Sequence, residues 1–287
     1  MTVHIRAATP SDADACGRIV HEAFAGIAQS HGFPPDFPTI DAGTQLAQAF
    51  IADPAVFGIV AEQDGRVVGS NFLKEGDAIR GVGPISVDPQ VQGGGVGRRL
   101  MEAVLDRANG AAGIRLLQDS FNMRSIALYA SLGFQVREPV LVMVGRPING
   151  RPMGTAVRPM TERDLDACDA LCIRVHGISR RSELADAVRL GAPLVAERDG
   201  RITAYLTAPT FWLANHGVAE TESDMQALIA GAAAASDQPL SFLLPTRQAV
   251  LFRWCLEQGM RALKPMTLMT IGEYRAPNGC YMPSVFY

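Results

Sequence analysis

The sequence predicts a mixed α/β fold, α+β in the make-up of its sheet, built as two domains of similar plan. Three observations carry this. Pro84-Ile85-Ser86-Val87 reads as a buried strand; a glycine-rich turn, Gln92–Gly97, follows, and then an amphipathic helix with Val96, Leu100, Ala103 and Val104 on one face. Val56–Ala61 and Arg66–Phe72 read as strands around Gln63-Asp64-Gly65, an Asp-Gly hairpin signal. Finally, the segment from Ile5 to Cys16 returns as Val157 to Cys168, and Val60–Arg66 returns as Val195–Arg201 in the same order, which argues for a duplicated domain.

In chain order, His4–Ala7 is a short strand. Thr9-Pro10-Ser11-Asp12 offers a cap for a helix carrying Ala15, Ile19, Ala23 and Phe24. Gln29–Ile40 holds Gly32 and Pro34-Pro35 and is an irregular loop; a second helix covers Ala42–Ile51. The two hairpin strands, a polar stretch Lys74–Asp77, the strand ending at Val87 and the glycine turn come next. Ile114–Gln118 is a further strand, and a short helix with Ile126, Tyr129 and Leu132 on one face ends at Gly133. Arg146–Pro152, rich in turn formers, is the expected linker, which sets domains at 1–147 and 153–287.

Composition narrows the function classes. With 48% apolar and 19% charged residues, the chain is globular rather than disordered. A net charge of −3 gives no electrostatic case for nucleic acid or an anionic membrane. The opening MTVHIRAATP lacks a charged-then-apolar leader pattern, and no apolar run approaches the ~20 residues of a membrane helix. The expectation is a reduced, cytoplasmic protein. Cys168 and Cys172 stand one helical turn apart without a second ligand pair, so they read as small core residues and no metal is expected.

The glycine turn has the chemistry of an anion site. Its glycines bring the main chain close to a ligand, and the first amides of a helix have no internal acceptor and sit at the positive end of its dipole. A dinucleotide fingerprint fails, because Arg98 or Leu100 stands where its third glycine is needed. A P-loop fails because Gly97-Arg98-Arg99 supplies no Gly-Lys-Ser/Thr.

Val87-Asp88-Pro89-Gln90-Val91-Gln92-Gly93-Gly94-Gly95-Val96-Gly97 resembles the cofactor loop of the GNAT superfamily of acyl-CoA-dependent N-acyltransferases. The pattern Gln/Arg-x-x-Gly-x-Gly/Ala is met by Gln92, Gly95 and Gly97. A second signature of that family, Asn then Tyr seven residues on and a closing Gly-Phe, is matched by Asn122, Tyr129, Gly133 and Phe134, with Ser125 where alanine is common. The resemblance implies a GNAT fold for residues 3–145. It implies that Gln92, Gly93, Gly94, Gly95, Val96, Gly97 and Arg98 hold the coenzyme A diphosphate. Ile85, Ser86 and Val87 would pair with the pantetheine arm, Asn122 would bond it, and Tyr129 would protonate the thiolate as general acid. The loop Gln29–Ile40 occupies the position that lines the acceptor site in that family.

The second copy resembles the degenerate C-terminal half of tandem GNAT proteins, so two tandem GNAT-like (acyl-CoA N-acyltransferase) domains are expected. After an expected strand at Phe211–Ala214, Asn215–Glu220 keeps one glycine, and Glu220 and Glu222 would repel a diphosphate. With Gly259 aligned to Gly133, Cys255 stands where Tyr129 stood. The tail Gly272–Tyr287 is expected to end as a packed strand.

No general base is evident. Glu75 and Asp77 flank Gly76 in what reads as a solvated turn, and His21, Glu22, His31 and His216 each have a plainer structural role. The expected activity is an acetyl-CoA-dependent N-acetyltransferase, by direct attack of a primary amine. The acceptor is a small molecule or a peptide, with neither nucleic acid nor membrane as partner, and a homodimer stays open. Two alternatives stay open as well: a non-catalytic acyl-CoA sensor or interaction protein, and an enzyme using a longer acyl donor.

Overall fold

The computed structural model describes residues 2–148 and 155–286, so Asn149–Pro152 of the expected linker lie outside the described residues. The chain forms two compact units. The first is Met1–Leu116 with Phe121–Phe134; the second is Leu117–Ser120 with Gln135–Tyr287.

The first unit begins with β1 (Val3–Ala7), a short 3-10 turn, α1 (Ala13–Ser30) and α2 (Ile40–Ala52). It continues through β2 (Val56–Gln63), β3 (Arg66–Lys74), β4 (Ile79–Val82) and β5 (Ser86–Val87). It closes with α3 (Val96–Arg107), the start of β6 (Gly113–Asp119) and α4 (Met123–Ser131). Its strands lie in the order β1-β2-β3-β4-β6, and β5 pairs with β3. All pairs are antiparallel except β4 with β6, in which Gly81 faces Arg115. Helix α1 buries Cys16, Ile19 and Val20, and α3 buries Leu100, Met101 and Val104. Where α1 crosses α2, a Cβ on Gly17 would lie 2.3 Å from the Thr44 side chain. Only glycine permits that approach.

One expectation needs correction. The strand read as Pro84–Val87 shortens to Ser86–Val87, and a separate strand, Ile79–Val82, which the sequence reading missed, precedes it. Ile85 belongs to neither. Arg80 alternates with apolar neighbours in β4, and its charge is consumed by Glu75 at 2.9 Å and the Arg107 carbonyl at 3.0 Å. A polar residue met in this way is invisible to hydrophobic patterning.

The second unit holds β7 (Gln135–Gly145), β8 (Ala156–Pro159), α5 (Leu165–His176), α6 (Arg181–Leu190), β9 (Leu194–Arg198) and β10 (Arg201–Leu206). Then come β11 (Gly217–Ala219), α7 (Glu222–Ala235), β12 (Leu240–Pro245), α8 (Ala249–Glu257), β13 (Arg261–Gly272) and β14 (Cys280–Met282). One sheet has the order β14-β11-β10-β9-β8, while β7 lies between β13 and β12. Helix α7 is apolar nearly all round and buries nine of its residues, from Asp224 to Ala233, which makes it the centre of this core. One expectation fails here. Phe211–Ala214 is a turn, and the strand is Gly217–Ala219. The tail strand is Cys280–Met282, paired with β11, and Pro283–Phe286 is irregular.

The duplication is visible atom by atom. Arg6 binds both carboxylate oxygens of Asp12, and Arg158 does the same to Asp164. Thr9 and Thr161 each close a capping box with those aspartates. Asp64 and Asp199 both turn their hairpins at positive φ, 51° and 54°. Among the described residues, no helix is long and apolar enough to cross a membrane.

Candidate functional site

Strand β5 sets up the first part of the site. Asp88 donates its amide to the Val68 carbonyl, and Gly69 faces Val87 across the ladder. In an antiparallel ladder hydrogen-bonded and non-bonded pairs alternate, so the amide and carbonyl of Val87 turn away from β3. The carbonyl accepts from Gln92 Nε2 at 3.1 Å. The Val87 amide points the same way, away from β3. Ser86 turns its side chain inward to Ser70, 3.1 Å away, while Ile85 and Val87 are half-buried.

The turn from Asp88 to Gly95 is closed locally. Asp88 Oδ1 accepts from the Gln90 amide at 2.9 Å, and its carbonyl accepts from Val91. Gly93 and Gly95 sit at φ 94° and 82°, which side chains with a Cβ rarely adopt, and Gly95 is the N-cap of α3. Among the described residues this leaves a row of amides without a hydrogen-bond acceptor: those of Gly93, Gly95, Val96, Gly97 and Arg98, the α3 ones because the start of a helix offers them no internal partner. Gln92, Gly93, Gly94 and Gly95 are exposed, so this row faces solvent at the positive end of the α3 dipole.

Helix α4 stands beside the turn. A Cβ on Gly97 would lie 3.6 Å from Val87 Cγ2 and 3.7 Å from Leu128 Cδ2, so strand, turn and helix meet at this glycine. Asn122 is the N-cap of α4, and its side chain accepts from the Ser125 amide at 3.1 Å. That capping bond occupies Oδ1, the atom that would otherwise accept from a ligand. Tyr129 is buried in α4, 6.1 Å from the Phe134 ring. Arg98 bonds Ser131 Oγ at 2.6 Å and lies 3.7 Å from Glu102. Arg99 turns off to the Val3 carbonyl at 2.7 Å. The cation that does hang over the turn is Arg124, 3.4 Å from Gln92 Oε1 and 3.3 Å from where a Gly93 Cβ would be. Sequence reasoning gave Arg124 no role; its place in the first turn of α4, two residues past the Asn122 cap, was the available signal.

The candidate bases are spent elsewhere. Glu75 is paired with Arg80 and Arg107, both at 2.9 Å, and is not a solvated turn residue. His21 Nδ1 bonds the Phe37 carbonyl at 2.8 Å, and Glu22 pairs with Arg18. His31 bonds Ile27 and Ser30 next to it. Its ring lies 5.1 Å from Phe121, on which Phe33 stacks at 4.6 Å. His31 and Phe33, from the loop between α1 and α2, thus pack on Phe121, which lies between β6 and α4.

In the second unit the matching place has changed. Strand β11 runs into α7 with only Glu220 and Thr221 between them, where the first unit has the eight residues from Asp88 to Gly95. Thr221 caps α7 by accepting from Asp224, and Glu220 is paired with Arg174 and Arg201. The cradle is therefore absent there, and by shortening, not by the substitution in Asn215–Glu220 that the sequence suggested. Met260 donates its amide to the Cys255 carbonyl as Phe134 does to Tyr129, both at 3.0 Å. Cys255, fully buried, stands where Tyr129 stands.

Bare amides at a helix start beside an unpaired strand edge suit a ligand with paired phosphates and an extended amide-bearing arm. Within this strand order they define a protein of the acyl-CoA N-acyltransferase class. Residues 54–136 match the family model described as the Acetyltransferase (GNAT) domain. The chain is 32% identical over 137 residues to the N-alpha-acetyltransferase RimI of Mycobacterium tuberculosis, covering 46% of this chain and 78% of that protein. This chain belongs to the GNAT acetyltransferase family. It is 38% identical over 86 residues to the mycothiol acetyltransferase of Beutenbergia cavernae, spanning 29% of each. The alignment thus spans less than a third of that curated relative's length. A tandem GNAT protein from the clavulanic acid biosynthesis pathway superposes with a TM-score of 0.61 at 14% identity, over 94% of this chain and 98% of that one, which shows the tandem fold.

Proposed function

We propose that the first unit is an acetyl-CoA-dependent N-acetyltransferase acting on a primary amine, and that the second is a degenerate copy without a cofactor site. The row of acceptor-less amides at Gly93 and Gly95–Arg98 carries this reading. Those amides would hold the coenzyme A diphosphate, with Arg124 adding charge. The free edge at Ile85–Val87 would take the pantetheine arm, and the outward Val87 amide would polarise the thioester carbonyl. The amine nitrogen attacks the thioester carbon, a C–N bond forms and the C–S bond breaks. The leaving sulfur takes the Tyr129 proton, and the amine gives up a proton to water. Ser86 and Asn122 support the site from behind, through Ser70 and the α4 cap.

The acceptor would approach past the His31, Phe33 and Phe121 rings, and an acceptor with an apolar or aromatic side suits them. The RimI relative supports a peptide amine and the mycothiol acetyltransferase a small one. We place the reaction in the cytoplasm: five buried cysteines, none in a disulfide, suit a reducing compartment.

One observation favours a sensor instead, namely that Glu75, His21 and Glu22 are all tied to other groups. Thiol release from acetyl-CoA by the whole chain against a panel of amines separates the two. Release with at least one amine supports the enzyme; tight acetyl-CoA binding with no release for any amine supports the sensor.

A further inference from the structure

Helix α5 places Cys172 and His176 at positions i and i+4, on one face. His216, just ahead of β11, comes against the same face. All three are buried, His216 completely, and their ligand atoms lie within 4.8 Å of one another. The His176 and His216 rings stack at 5.7 Å and 18°. His216 Nδ1 is 3.2 Å from the Tyr205 hydroxyl, and its Nε2 has no hydrogen-bond partner among the described residues. An imidazole nitrogen buried without a partner is destabilising unless something else satisfies it.

We propose that this second unit holds a divalent transition-metal ion of the zinc type, through Cys172 Sγ, His176 and His216 Nε2. The donor set is one thiolate and two imidazoles, which suits zinc or cobalt(II) and excludes the hard oxygen-seeking cations calcium and magnesium. In the His216 tautomer that donates Nδ1–H to the Tyr205 oxygen, 3.2 Å away, the Nε2 lone pair is left for the metal, the second-sphere arrangement usual for metal-bound histidine. The Arg180 guanidinium, which would otherwise repel a cation, is neutralised by Glu183, and Glu183 is fixed by Ser284 at 2.8 Å. Bonds of roughly 2.0–2.3 Å would draw the three donors closer together than 4.8 Å, within reach of side-chain rotation. The site is sealed from solvent, so its role is structural: it ties α5 to the chain entering β11. This inference is independent of acyl transfer. The sequence expectation of no metal weighed Cys172 against Cys168, whereas the neighbour that matters is His176.

The test uses the whole chain, stripped by a chelator and titrated with cobalt(II). One ion per chain should bind, with visible cobalt bands and a thiolate charge-transfer band in the near ultraviolet. Zinc should displace it and raise the thermal midpoint by several degrees. Cys172→Ala should abolish the thiolate band, and His216→Gln should weaken binding at least tenfold. A wild-type chain that shows no such bands overturns the proposal without any variant. So do bands that persist unchanged in both variants.

Discussion

Arg6 holds Asp12 through two parallel bonds, 2.7 and 2.8 Å, and the Thr9 amide and hydroxyl complete the grip at 2.8 Å each. The bond to Arg6 is the main reason the Asp12 carboxyl titrates at about 2, with Thr9 adding to it and burial opposing. A carboxylate whose folded pKa is depressed contributes stability above its ordinary pKa and loses it as pH falls through the folded value. Asp164 is lowered in the same way by Arg158. Stability should therefore decline between pH 4 and pH 2. Asp12→Asn should remove about 1–2 kcal/mol at pH 7 and flatten that decline, allowing for the half-exposed Arg6. Urea midpoints at pH 5 and pH 3 check both; equal slopes in the two proteins would contradict the assignment.

Gly95 caps α3 at φ 82°. Gly95→Ala should cost roughly 1–2 kcal/mol of stability and weaken acetyl-CoA binding on the order of tenfold, by distorting the row of amides. Thermal melts with calorimetry on the same samples read both effects. Unchanged affinity in a folded variant would remove the turn from the binding site.

Tyr129→Phe keeps the buried ring and its packing on Phe134. Turnover of a good amine should fall about a hundredfold, with KM for acetyl-CoA little changed. A variant as fast as the parent would rule out the acid role.

Arg124 is exposed, and in the proposed site it would act through its charge. Arg124→Ala should raise KM for acetyl-CoA several-fold at constant kcat, and shrink the loss of affinity caused by salt. Initial rates at two ionic strengths would show this; a drop in kcat alone would point to a different task.

Much of the site was readable from residue types because it depends on the main chain. Glycines at Gly93, Gly95 and Gly97 and a capping Asn122 state a local geometry wherever they occur. The repeat was readable for a related reason: Arg6, Thr9 and Asp12 form a self-contained unit, and so do Arg158, Thr161 and Asp164. What escaped was set by distant partners. Arg80 sits in a strand because Glu75 and the Arg107 carbonyl take its charge. Gly217–Ala219 is a strand too short to show alternation, recognised only through its neighbours Tyr205 and Tyr281. His216 read as an ordinary loop histidine, since nothing near it in sequence names Cys172 or Tyr205.

Strand β7 follows the first copy's α4 but lies between β12 and β13, with Phe242 against Met143 on one flank and Met266 against Val140 on the other. A gene cut at the midpoint would therefore give one piece a dangling ribbon and the other a slot with two raw edges, an invitation to aggregate. The fragment from residue 155 onward should be insoluble alone and rescued by co-expression with residues 1–148; a well-behaved solitary fragment would argue otherwise. A strand placed this way makes the repeat hard to separate: the second unit's sheet is complete only with residues that precede the linker.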